Sequence, residues 1–99
     1  MTSFILLYAG PPATPEATHE GWPEWFESLG DNLIDRGSPM IGGFVTSRDG
    51  TTGDTAASVN GYSIIGAADR DAVRDLLRNH PFLITGSEHR IEVFEVPAK

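Results

Sequence analysis

Three histidines, His19, His80 and His89, are the side chains of this sequence best suited to moving protons near neutral pH. The chain has no cysteine, which excludes thiol nucleophiles, disulfides, Cys-ligated zinc and iron–sulfur clusters. His80 is the first candidate for a general acid or base. It stands at the end of a helical apolar stripe, at the margin of the core, where burial and neighbours can tune an imidazole. The plainer reading of His80 is a helix C-terminal residue whose ring bonds a backbone carbonyl or favours the helix dipole. His19 is the second candidate. It lies beside Glu20 in a loop, where function often resides and where most histidines are simply solvated. His89 precedes the last strand and is given no role. The histidines form neither an HxH nor an HExxH pattern, so no metal site is expected.

The aromatic residues are the second set. Tyr8, Trp22, Trp25 and Tyr62 have the character of an apolar pocket for a flat small molecule, with tyrosine hydroxyls to orient it. The same residues serve equally as core or interface, which aromatics dominate. Tyr8 and Trp22, at the ends of their elements, fit the pocket better than Phe26, which reads as core.

The elements that must position these residues follow from periodicity. Phe4 to Ala9 is apolar on both faces and reads as a central strand, ended by Gly10-Pro11-Pro12. After a loop over residues 10–21, Trp25, Phe26, Leu29, Leu33 and Ile34 recur at helical spacing. That predicts a helix from Trp22 or Pro23, stopped at Gly37. Met40 to Thr46 is expected as the second strand, with a bulge or close approach at Gly42-Gly43. Residues 47–56 form a hairpin loop, and residues 57–67 a third strand. Asp69 caps a second helix carrying Val73, Leu76 and Leu77, which Pro81 ends. Ile91 to Val96 is the last strand. The glycines at 50 and 53 match neither GxGxxG nor a Walker loop, so no phosphate cradle is expected.

The order strand-helix-strand-strand-helix-strand is the split β-α-β plan. The expected fold is α+β and ferredoxin-like, βαββαβ, with two helices on one face of a four-stranded antiparallel sheet. Residues 1–99 make one domain, with 39% hydrophobic and 21% charged residues excluding a disordered chain. Two helices cover one sheet face, yet the first strand is apolar on both. A second copy of the chain is the expected cover, making a homodimer.

Charge narrows the partners. Seven Lys and Arg stand against fourteen Asp and Glu, without a basic cluster. Nucleic acid is therefore not an expected partner, nor is an anionic membrane surface. The longest apolar run is too short to span a bilayer and lacks the flank of a signal peptide, so a cytoplasmic location is expected.

Taken in order, FILLYA, WFESLGDNLIDRG with the following GG, NGYSIIGAADRDAVRDLLRNHPFL and IEVFEV resemble the YCII-related family over nearly the whole chain. The resemblance implies a ferredoxin-like domain that dimerises into an α/β barrel with a pocket beside the sheet. It also implies small-molecule chemistry of ring-degradation or isomerase type, by an acid–base pair of His and Asp. That pair is altered here. The family's first-helix His falls near Trp25 or Phe26, and its pre-proline Asp falls at His80. The Asp-Gly-Pro-Phe loop of a related branch is absent, because residues 49–55 read DGTTGDT.

Three functions remain open. One is a small enzyme using acid–base chemistry through His80, with His19 or a Tyr, on a small aromatic or lactone-like molecule, without an organic cofactor. Another is a ligand-binding or sensing dimer without chemistry. The third is a structural or partner-binding module.

Overall fold

The computed structural model describes residues 1–11, 21–55, 58–84 and 88–98. Of the loop expected over residues 10–21, residues 12–20, His19 among them, lie outside the described residues. In chain order the elements are β1 (Thr2–Ala9), α1 (Trp22–Leu29), β2 (Leu33–Pro39), β3 (Phe44–Thr46), β4 (Thr52–Asp54), β5 (Val59–Ala67), α2 (Arg70–Leu77), α3 (Pro81–Ile84) and β6 (Arg90–Val96).

The apolar run of β1 occupies an inner position, as a strand covered by neighbours on both edges must. The main sheet runs β2-β5-β1-β6, antiparallel at every pairing. Each β-α-β unit is thus split by a strand of the other half, which is the ferredoxin-like plan. Alternation along β1 sends Phe4, Leu6 and Tyr8 to one face, where they are buried with Ile65 and Ala67 of β5. Trp25, Phe26 and Leu29 of α1, Val73 and Leu77 of α2, and Phe82 of α3 close this core. Each fully buried large apolar side chain contributes about 1.5–3 kcal/mol, so this face supplies most of the drive to fold.

The other face is apolar as well. Antiparallel register places Ile5 and Leu7 beside Tyr62 and Ile64 on one side and Phe94 on the other. No helix packs here among the described residues, and Phe94 and Ile34 remain 54% and 52% exposed.

The second helix matches its sequence signals. The Asp69 side chain accepts from the Ala72 N–H at 2.9 Å and caps α2. The helix ends at Leu77, before Pro81, and Pro81 opens α3 rather than following a longer helix.

The first helix and the second strand differ from expectation. The α1 helix stops at Leu29, where Gly30 takes a positive φ of 53°. The Asn32 side-chain amide then donates to the Gly66 carbonyl at 2.7 Å and carries the chain into β2. Leu33 and Ile34 keep helical spacing by coincidence. In the strand Leu33 packs against the core, and Ile34 faces the other way. Gly37 is not a helix stop but lies inside β2 with φ 78°. A Cβ there would overlap the Tyr62 carbonyl, so only glycine lets β2 pass this close to β5.

Residues 40–46 are not the second strand. Residues 40–43 run without regular pairing, and β3 joins β4 in a separate two-stranded hairpin. Thr46 and Thr52 close this hairpin, and all six of its strand residues are exposed.

Candidate functional site

One end of the core, between the sheet and α1, gathers four aromatic rings around a histidine. Tyr8 comes from the end of β1, Trp22 and Trp25 from α1, Phe82 from α3, and His80 from the turn between α2 and α3. Two conditions place His80 there. The α2 helix has ended at Leu77, and the His80 N–H returns to the Leu77 carbonyl at 3.1 Å. The imidazole therefore turns inward instead of extending the helical stripe.

The His80 ring centroid lies 4.1 Å from that of Trp25, 4.7 Å from Trp22 and 5.2 Å from Tyr8. Its contact with Trp22 is edge to face, at 85° between planes. The residue is 0% exposed. Its Nδ1 accepts the Phe82 backbone N–H at 3.0 Å. A nitrogen that accepts carries no proton, so the neutral ring holds its proton on Nε2. Nε2 is buried and has no hydrogen-bond partner among the described residues. Burial lowers the His80 pKa to about 3, which keeps the ring neutral through the physiological range.

Trp22 has the same property. Its Nε1 is buried and unpartnered among the described residues. The second indole differs: Trp25 Nε1 donates to the Leu76 carbonyl at 3.1 Å and is committed.

Tyr8 is committed too. Its hydroxyl donates to Ser63 Oγ at 2.7 Å, and Ser63 donates onward to the Arg36 carbonyl at 2.6 Å. Burial pushes the Tyr8 pKa up to about 12, the Ser63 hydrogen bond opposing it in part. Arg36 is exposed on β2, with its guanidinium 4.7 Å from the centre of the Phe26 ring. It is not in a helical turn, as spacing alone predicts.

Four residues singled out from sequence, Tyr8, Trp22, Trp25 and His80, thus share one nest. Tyr62 does not join it. It is one step along β5 from Ser63, so its side chain stands on the opposite sheet face beside Leu7. Two residues of the nest escaped the sequence reading. Ser63, 0% exposed, is a polar residue inside an apolar strand and gives no pattern. Phe82 reads as a simple follow-on to Pro81. His89 is also structural here. Its ring stacks on Phe82 at 4.3 Å, with nitrogens 3.1 Å from the Phe82 carbonyl and 2.9 Å from that of Pro11. It straps the end of β1 to α3.

A separate groove of about 310 Å³ lies between α2 and β6, over Phe4, Val73, Leu77 and Val93, with Arg70 and Arg74 in its wall. It includes none of the nest residues. Among the described residues no cluster of His, Asp and Glu is arranged to hold a metal ion, and no helix is long and apolar enough to cross a membrane.

Comparison with known proteins bears on the fold first. The chain is similar in structure to 5-chloro-2-hydroxyhydroquinone dehydrochlorinase (TftG) from Burkholderia phenoliruptrix AC1100, solved in complex with 2,5-dihydroxybenzoquinone. The TM-score is 0.64 over 98% of this chain and 95% of that one, at 16% sequence identity, so the likeness is one of fold. A search of curated protein sequences finds no match. The pattern of the YCII-related domain, by contrast, runs through nearly the entire sequence. Matched from residue 1 to residue 97, this chain belongs to the YCII-related domain family.

Proposed function

We propose that the protein is a small enzyme whose ligand, a small flat organic molecule, enters the aromatic nest and meets His80. The observation that carries this reading is the state of that one ring: buried, fixed by the Phe82 N–H, and holding an Nε2–H without a partner among the described residues. A buried donor left unpaired costs about 1–3 kcal/mol, so such groups are few in native proteins. With a pKa near 3, His80 is a poor base. It is well suited to act as a neutral hydrogen-bond donor that polarises a substrate oxygen. The sequence-based role of His80 as a general acid or base gives way, in this reading, to that of an electrophile. The structurally similar dehydrochlorinase, which binds a flat oxygenated ring, is consistent with such a ligand.

The test is a screen of small cyclic ketones, lactones and quinones, scored by tryptophan fluorescence for binding and by product analysis for turnover. At least one member should bind and be converted, and His80→Phe should cut conversion by about a hundredfold. Unimpaired conversion by that variant would remove His80 from the chemistry.

One observation favours a second reading, binding without turnover. The other titratable group in the described nest, Tyr8, keeps its proton in the hydrogen bond that it donates to Ser63, and burial holds it near pKa 12. Binding of a ligand that is recovered unchanged would select this reading.

We also infer a homodimer. The uncovered sheet face carries Ile5, Leu7, Ile64, Ile34, Phe94 and Val96, with Glu92 and Asp35 in register beside Leu7 and Ile64, and is a largely apolar surface of the kind that soluble chains cover. A second copy, presenting the same face about a twofold axis, supplies that cover. The acidic, cysteine-free composition is compatible with a cytoplasmic location.

A further inference from the structure

Two unpartnered buried donors in so small a protein fall on two rings that touch. Trp22 and His80 meet edge to face with centroids 4.7 Å apart, and the Nε1 of one and the Nε2 of the other each have no partner among the described residues. Neither group offers the other a free lone pair, and an edge-to-face N–H···π contact is a weaker substitute for one. An indole N–H only donates, and the His80 Nδ1 that could accept is already taken by Phe82. What both lack is an acceptor.

We propose that Trp22 and His80 form a two-donor cradle for a single carbonyl oxygen, and that the ligand class is therefore a neutral cyclic or aromatic ketone, ester, lactone or quinone. This deepens, and rests on, the reading of the nest as the ligand site.

Elimination supports the class. An alcohol or phenol oxygen can accept, but it brings a proton that needs an acceptor of its own. Among the described residues the nearby acceptors already receive a hydrogen bond each, the Leu76 carbonyl from Trp25, the Arg36 carbonyl from Ser63 and Ser63 Oγ from Tyr8, so that proton would have to share one of them or turn to the Tyr8 oxygen. The remaining surroundings are the carbon faces of Trp25, Phe26 and Phe82. A carboxylate would accept both protons, but it would be a buried charge without a paired cation, a cost of several kcal/mol. A carbonyl oxygen has two lone pairs, no proton and no net charge. It takes both donors and leaves nothing unsatisfied.

The protein carries its own internal control. Its tryptophans are Trp22 and Trp25, and Trp25 Nε1 is already bonded to the Leu76 carbonyl. With the indoles labelled with nitrogen-15, the whole chain shows one signal for each. The probes are acetophenone, the alcohol made by reducing it, and α-methylstyrene, which keeps the shape and replaces the carbonyl oxygen by a methylene. Acetophenone should move the Trp22 N–H signal downfield and leave the Trp25 signal close to its place. It should bind about tenfold more tightly than either analogue, and Trp22→Phe should abolish most of that preference. Equal binding of all three with an unmoved Trp22 signal overturns the cradle while leaving the ligand site standing. Failure of all three to bind defeats the ligand-site reading itself. Should Trp22→Phe not fold, the wild-type spectrum and the affinity ratio decide alone.

Discussion

The two faces of the main sheet are built from the same strands and hold side chains of similar apolarity, yet they differ in how their contacts are satisfied. Phe4, Leu6 and Tyr8 point one way and are closed over by three helices. Ile5, Leu7 and their neighbours Ile64 and Phe94 point the other way and end in a surface. Burial on the first face is internal to the chain and defines its stability. The surface on the second has value only when something else meets it. Apolarity alone therefore does not identify a core, and the presence or absence of an opposing helix decides which kind of face it is.

The sharpest way to test that difference is Leu6→Ala. Leu6 is 0% exposed, so its truncation should cost about 3 kcal/mol in the denaturant midpoint analysis. A loss below about 1 kcal/mol would mean that the helix face is not the core.

Acid provides a second test on the same face. Above pH ~6.5 His80 is neutral in both folded and unfolded chains, and its contribution is constant. Below that, the unfolded chain takes up a proton that the folded ring refuses until about pH 3. Stability is therefore fully present above 6.5 and falls as pH drops through that window, by about 2 kcal/mol at pH ~5. His80→Phe removes this component, so the wild-type and variant curves should converge on acidification. Parallel curves would show that His80 titrates normally.

Tyr8→Phe is a smaller perturbation. It deletes the hydrogen bond to Ser63 and leaves the Ser63 bond to Arg36, at a cost of about 1 kcal/mol. An unchanged melting curve would show the Tyr8–Ser63–Arg36 relay to be energetically idle.

Phe94→Glu sits at the other end of the scale. With 54% of this residue exposed, the change should alter the stability of the isolated chain by less than about 0.5 kcal/mol. In sedimentation it should nevertheless convert a dimer to monomers, because a carboxylate would be placed in each copy of the shared face. A dimer that persists in this variant would mean that the copies meet elsewhere.

Much of the fold was legible because its signals are local. The two-sided apolar run of β1, the Asp69 cap of α2 and the alternation of β6 all lie within a few residues of what they specify. The α1–β2 boundary was not, since Leu33 and Ile34 continue helical spacing past the helix end. What redirects them is a contact between Asn32 and Gly66, distant in sequence. The role of Gly37 was hidden for the same reason, because the Tyr62 carbonyl that excludes a side chain there belongs to another strand. The strands of the hairpin, at three residues each, are too short to show a period. Within the site, residue type singled out His80 and the aromatics. It could not separate Tyr8 from Tyr62, since which sheet face a tyrosine occupies depends on register. Nor could it reveal which ring nitrogens go unpaired, a property of the packed structure alone.

The β3–β4 hairpin has a consequence of a practical kind. Its strands pair with each other and with no strand of the main sheet, and its turn between Thr46 and Thr52 is solvent-facing throughout. Extra residues inserted at Asp49-Gly50 would disturb neither the core nor the aromatic nest. That tip is a natural graft point, at which an affinity tag or a fluorescent reporter could be carried while both ends of the chain stay as they are.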